Sequence, residues 1–247
     1  MKLVVYTAVA AGYDNLKPVR HALPGVDYFC FTESGRAVPP GWTHRELLRL
    51  DLSPQSQNRY AKFHPHLLFP GHDASVYVDG NIEVIGDVKA LAHMALAEST
   101  IAFYDHPVRV SAFEEAIECA LVGFDLSSVI RRQLRRYFHD GFAFQGGLFE
   151  GNVIVRAHHD IDVIRTMMHW WVEWQRGVKR DQLSLMYVLW KEEPRIRRLG
   201  RHDGRFIHDY FIYHPHRYKL ARSLPRVGRQ IINRLDLALF GMSVQGV

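Results

Sequence analysis

Apolar positions along this chain fall into two rhythms. Leu3-Val4-Val5-Tyr6 and Val76-Tyr77-Val78 are continuous, β-branched runs, the pattern of strands buried on both faces. Residues 27–32 (Asp27-Tyr28-Phe29-Cys30-Phe31-Thr32), 100–104 and 148–156 predict three more strands, and residues 42–50 predict an edge strand after the Pro39-Pro40-Gly41 turn. Between them, apolar residues recur at three- and four-residue spacing and predict helices over 55–68, 88–97, 111–119, 127–138, 160–176 and 181–190. Ser53-Pro54 marks the start of the first, and Pro65 should kink or end it. After Pro194 the chain turns polar and histidine-rich, and no element is predicted until a basic amphipathic stretch at 222–241. Strands alternating with helices predict a single α/β domain over residues 1–220. Its central sheet should be mostly parallel and flanked by helices, with a basic C-terminal helical extension at 221–247.

The central chemical signal is Val78-Asp79-Gly80-Asn81, where an apolar strand ends in an acid, a glycine and an amide. Ligands of open α/β sheets gather at the carboxyl ends of strands. Two oxygen-bearing side chains two residues apart suit a hard divalent cation bound to a diphosphate. An ordinary turn reads the same way, since Asp-Gly and Gly-Asn are turn dipeptides.

Composition narrows the classes. With 47% hydrophobic and 23% charged residues among 247, a core of useful size is assured. The net charge of +5 suits a polyanionic ligand, a nucleotide or an anionic membrane face. The two cysteines, Cys30 and Cys119, both lie in apolar surroundings and argue against a disulfide framework. No run reaches the roughly 18 apolar residues of a spanning helix. Met1-Lys2 leads directly into the first strand, so a cytoplasmic protein is expected.

Residues 7–14, after the first strand, occupy the place where a nucleotide-binding half contacts base and ribose. They hold neither a dinucleotide-binding nor a P-loop glycine pattern. Thr7 and Tyr13 are donor-contact candidates there; Tyr13 can stack on a base and Asp14 can take a hydroxyl. Arg59 and Lys62 share one helical face and can embrace a diphosphate. His214-Pro215-His216 offers two imidazoles on one side of an extended segment, with His208 as competitor. Glu150 and Asn152 can hydrogen-bond sugar hydroxyls. Asp181, at a helix start, is either an N-cap or a carboxylate presented to a pocket. Trp170, Trp171 and Trp174 are core candidates, one of them able to line an acceptor groove.

Taken in order, these segments resemble a nucleotide-sugar glycosyltransferase of the GT-A fold, a Rossmann-like architecture. More closely, they resemble bacterial members of a glycosyltransferase-like family that includes plant proteins of mucilage and pectin biosynthesis. The resemblance rests on Tyr6-Thr7-Ala8 with Gly12-Tyr13-Asp14, on residues 27–32, and on Asn58-Arg59-Tyr60-Ala61-Lys62. It continues through Tyr77-Val78-Asp79-Gly80-Asn81, residues 150–156 and Arg180-Asp181-Gln182-Leu183-Ser184. It implies a nucleotide-sugar donor, usually a UDP-sugar, held by Mn²⁺ or Mg²⁺ through an Asp-x-Asp motif. Here that motif is Asp79-Gly80-Asn81, in which an amide replaces the second carboxylate and weakens the metal site. The resemblance implies that Asp181 and Gln182 face the anomeric carbon, as in retaining family-8 relatives, and that His214 completes the metal site.

The expected activity is therefore sugar transfer to a glycan or glycolipid hydroxyl, as in polysaccharide biosynthesis. A nucleotide-sugar hydrolase, a nucleotidyltransferase, and a non-catalytic glycan-binding or scaffold protein are the alternatives. No nucleic-acid partner is expected. The basic C-terminal segment fits an anionic membrane surface. It equally fits packing on its own domain or on a second subunit.

Overall fold

The computed structural model describes residues 1–144, 146–216 and 224–241. The expected boundary at 220/221 and residues 242–247 of the expected extension lie outside them. In chain order the elements are β1 (Leu3–Ala8), β2 (Val26–Thr32), β3 (Thr43–Glu46), α1 (Pro54–Phe63), α2 (Pro65–Leu68), β4 (Ala74–Val78) and β5 (Ile82–Val84). There follow α3 (Val88–Leu96), β6 (Ile101–Asp105), α4 (Ala112–Leu121), α5 (Ser127–His139), β7 (Phe149–Arg156) and α6 (Ile161–Arg176). The chain continues with α7 (Asp181–Glu192), β8 (Ile196–Arg201), α8 (Asp203–Phe206), β9 (Phe211–Tyr213) and α9 (Leu224–Phe240).

Seven strands form one sheet in the order β3-β2-β1-β4-β7-β6-β8. All run in one direction except β7, which lies antiparallel between β4 and β6. The sheet is thus mostly parallel, as the alternation of strands and helices predicts. A separate two-stranded ribbon pairs β5 with β9. The apolar runs occupy the centre: every residue of β1 and β4 is buried. On one face, Tyr6, Tyr77, Phe103 and Ile154 pack with Trp170 and Trp174 of α6. On the other, Val5, Val76 and Val155 pack with Leu91 and Ala95 of α3.

The helix expected over 55–68 is divided. Proline lacks the N–H that would continue the ladder and clashes with the preceding turn, so α1 stops before Pro65 and that residue opens α2. The polar stretch after Pro194 holds β8, an edge strand of sequence Ile-Arg-Arg-Leu-Gly-Arg in which no residue is fully buried. It also holds α8 and β9, and β9 returns the chain to the Asp79 turn.

Arg156, at the end of β7, is fully enclosed. Its guanidinium donates to the Lys62 carbonyl at 2.8 Å and to the Tyr6 hydroxyl at 2.5 Å. This ties the last turn of α1 to the sheet and fixes the backbone from which Lys62 projects. Both cysteines are buried and free, and burial pushes each thiol up to about 12. Among the described residues no helix is long and apolar enough to cross a membrane.

Candidate functional site

The carboxyl ends of β1 and β4, the start of α7 and the entry to α1 enclose a cavity of about 530 Å³. Its floor is the turn after β4. The Asp79 N–H donates to the Asn152 carbonyl at 2.8 Å, and the Ile82 N–H donates to the Asp79 carbonyl at 2.9 Å. Gly80 is needed here for space: a Cβ would meet Val9 Cγ2 at 2.7 Å and Asp14 Cβ at 3.1 Å. The turn therefore lies directly against the segment that follows β1.

Asp181 is the electrostatic centre. It is the first residue of α7 and its side chain makes no cap. The carboxylate instead reaches α1, where Arg59 Nε donates to Oδ1 at 2.8 Å and Lys62 Nζ donates to Oδ2 at 2.6 Å. Burial would raise its pKa, but the charges of Arg59 and Lys62 overcome that and hold it well below the ordinary carboxylate range. Such a carboxylate is a poor proton acceptor. Its role in this geometry is to position two cations. Lys62 Nζ also lies 3.6 Å from Asp79 Oδ1, and the Tyr77 hydroxyl donates to the same oxygen at 2.9 Å. Asp79, Lys62, Asp181 and Arg59 thus form one alternating chain of charge.

Opposite this chain stands a second polar network. Glu150 accepts from Asn152 Nδ2 at 3.1 Å and from Arg205 Nη2 at 3.2 Å. The ring of His202 lies 3.0 Å from Asn152 Oδ1. Burial raises the Glu150 pKa against the pull of Arg205. Burial likewise pushes His202 down to about 3, with Arg205 adding to the effect, so its ring stays neutral. At the mouth, Tyr13 stands beside the ring of His216, whose Nδ1 lies 2.8 Å from Asp14 Oδ1. That hydrogen bond, together with the Asp14 charge, raises the His216 pKa.

Of the residues singled out in the sequence, Tyr13, Arg59, Lys62, Asp79, Asn81, Glu150, Asn152, Asp181 and Gln182 all line this cavity. Thr7 does not. Side chains of a strand alternate between faces; Ala8 reaches the cavity, so Thr7 points to the other face and is fully enclosed. His214 is also turned away. Its ring bonds Glu83 Oε2 at 2.7 Å, and its carbonyl accepts from Asn81 Nδ2 at 2.7 Å. His216 lines the cavity in its stead. His208 is exposed and outside the lining, and Trp170, Trp171 and Trp174 are all core. Sequence reasoning passed over Lys179, Arg180 and Arg205, three more cavity cations. Arg180 directly precedes Asp181, which was a usable signal, whereas Arg205 had none.

Among the described residues, no group of three or more His, Cys, Asp or Glu side chains is arranged to hold a metal. The oxygens available at the Asp79 turn are the Asp79 carboxylate and Asn81 Oδ1, a buried atom with no hydrogen-bond partner. One or two such oxygens fit a Mg²⁺-type ion that takes its other ligands from phosphate and water. They do not fit an ion held by protein alone.

No curated protein matches the chain. Among solved structures, mouse xyloside xylosyltransferase 1 in its apo form shares 10% identity at a TM-score of 0.46, with 80% of this chain and 84% of that chain covered. The apo WbbM bifunctional glycosyltransferase shares 12% at 0.44, with 81% of this chain covered but only 38% of that one. The model of the TOD1/MUCI70, glycosyltransferase-like domain matches residues 52–199, more than half of the chain. Within that stretch lie Arg59, Lys62, Asp79, Glu150, Asn152 and Asp181, and the chain belongs to this family of glycosyltransferase-like domains.

Proposed function

We propose that the protein transfers a sugar from a nucleotide-sugar donor, a UDP-sugar, to a hydroxyl of a glycan or lipid-linked glycan. The observation that carries this reading is the cation cluster Arg59–Lys62, braced by Asp181 beside the Asp79 turn, inside a cavity at strand ends. A leaving diphosphate needs its developing charge neutralised, and preorganised cations supply that without reorganisation. In this reading Arg59, Lys62 and Arg180 face the diphosphate, and Tyr13 stacks on the base.

A divalent cation, Mn²⁺ or Mg²⁺, would be held by Asp79 with Asn81 and would add positive charge at the phosphates. Gln182 faces the reacting carbon. Glu150 and Asn152 receive acceptor hydroxyls, and the raised pKa of Glu150 makes it a better proton acceptor than Asp181. The enzyme works at the cytoplasmic side of a membrane, in polysaccharide assembly.

The test is a thermal-shift screen of UDP-, GDP-, CMP- and dTDP-sugars, with and without Mn²⁺, on the native chain and on Asp79→Ala. Stabilisation by a UDP-sugar, enhanced by metal and lost in the variant, supports the proposal. A folded protein that responds to no nucleotide sugar sinks it.

A further inference from the structure

Helix α9 docks on the domain mainly through polar contacts, with Leu237 packed against the core. Asn233, fully enclosed, donates to the carbonyls of Ala120 and Asp125 at 2.8 Å each and accepts from the Ser127 N–H at 2.8 Å. Arg226 Nε donates to the Val122 carbonyl at 2.8 Å and Arg229 Nε to the Gly123 carbonyl at 3.0 Å. Asp236 accepts from Ser127 Oγ at 2.6 Å and pairs with Arg131.

The outward face is apolar. Ile231, Ile232, Leu235 and Leu239 are 58%, 55%, 60% and 74% exposed. At the angular step of an α-helix these four, with Val227 and Ala238, sweep one continuous arc of about 140°. Arg234 borders one edge; the other is lined by Asp236, which is tied to Arg131 and Ser127, and then by Arg229. A helix on a soluble domain normally turns its apolar stripe inward and its charges out. A contiguous exposed apolar patch marks an interaction site.

We propose that this face of α9 lies on an anionic lipid bilayer, with its isoleucine and leucine side chains at the acyl boundary and the bordering arginines on lipid phosphates. Charge selects this occupant. The face carries no carboxylate, since Asp236, the sole acid of the helix, is turned to Arg131 and Ser127. Arg132 of the adjoining α5 is exposed. Pairing two copies through this face would set arginine borders against each other, whereas anionic headgroups neutralise them. The loop at 122–125 that α9 grips also carries Phe124 into the cavity wall, beneath the Arg180 guanidinium. The docking helix is therefore joined directly to the candidate site. The proposal is independent of the donor.

The test is co-sedimentation of the full chain with vesicles of pure phosphatidylcholine and with vesicles rich in phosphatidylglycerol. Binding to the anionic vesicles only, weakened by salt, is expected. The double variant Ile231→Asp/Leu235→Asp should reduce that binding at least about tenfold with an unchanged thermal midpoint, because both side chains are exposed. Arg234→Glu, which alters only a border charge, should reduce it as well. Absence of binding to anionic vesicles overturns the proposal, as does binding indifferent to all three substitutions. A concentration-dependent dimer in sedimentation velocity, abolished by the double variant, would assign the face to a second copy and overturn it too.

Discussion

Lys62 Nζ lies 2.6 Å from Asp181 Oδ2, and the two side chains are only 1% and 7% exposed. They come from helices at opposite ends of the matched family domain, so this pair closes the cavity by joining α1 to α7. Removing one member of a buried pair strands the other charge and typically costs about 3–5 kcal/mol. Arg59 remains as a second partner for Asp181. Lys62→Met should therefore cost about 3 kcal/mol, the low end of that range. In urea denaturation, Lys62→Met/Asp181→Leu should lose less than the sum of the single variants. Strict additivity would mean that the pair does not couple.

Gly80 is the tightest point of the floor. A Cβ at 2.7 Å from Val9 Cγ2 cannot be accommodated without moving the segment after β1. Gly80→Ala should lower stability by about 1–3 kcal/mol, the usual cost of overpacking. It should weaken nucleotide-sugar binding in parallel, because Asp79 and Asp14 shift with the backbone. Wild-type stability in calorimetry would show that the loop yields freely.

His158 is fully buried at the opposite end of the sheet from the cavity, with Nε2 3.1 Å from the Phe69 carbonyl. Burial, with a smaller contribution from Arg156, pushes its pKa down to about 4. In the unfolded chain a histidine titrates near 6.5, so between that value and the folded one the unfolded state binds more protons and stability falls as pH falls. From pH 7 to pH 5 this group alone should cost about 2 kcal/mol. His158→Gln should flatten that part of the curve, measured as the difference in unfolding free energy at the two pH values. Parallel curves would place a charged imidazole in the folded protein.

What the sequence made legible follows from the kind of surface each residue meets. β1 and β4 are buried on both faces, and their apolar runs announce it. β8 is an edge strand with solvent along it, so three arginines and a glycine left no period to read. Asp181 was visible as a helix start, yet its partners lie 122 and 119 residues away, a separation no local pattern encodes. Thr7 was placed in the site by its position in the chain, but strand alternation turned it to the other face. The reversed direction of β7 was equally hidden, because a buried strand reads the same either way.

Glu115 offers a test of one of the cations that sequence reasoning passed over, Arg180. It is 1% exposed and holds Arg180 Nε at 2.6 Å while also pairing with Arg109. Burial works against the Arg180 charge, but the Glu115 carboxylate outweighs it and keeps the guanidinium's pKa above its usual value. Glu115 does not line the cavity, so its influence on a ligand passes through the place and orientation of Arg180. Glu115→Gln keeps the size and one acceptor oxygen but removes the charge that anchors the guanidinium. An Arg180 freed from its anchor should lose about 1.4 kcal/mol of affinity for a nucleoside diphosphate, a tenfold rise in Kd. Isothermal titration with UDP would measure it, and Glu115→Asp, which restores the charge, should recover part of the loss. Unchanged UDP affinity in Glu115→Gln would mean that Arg180 does not reach the phosphates.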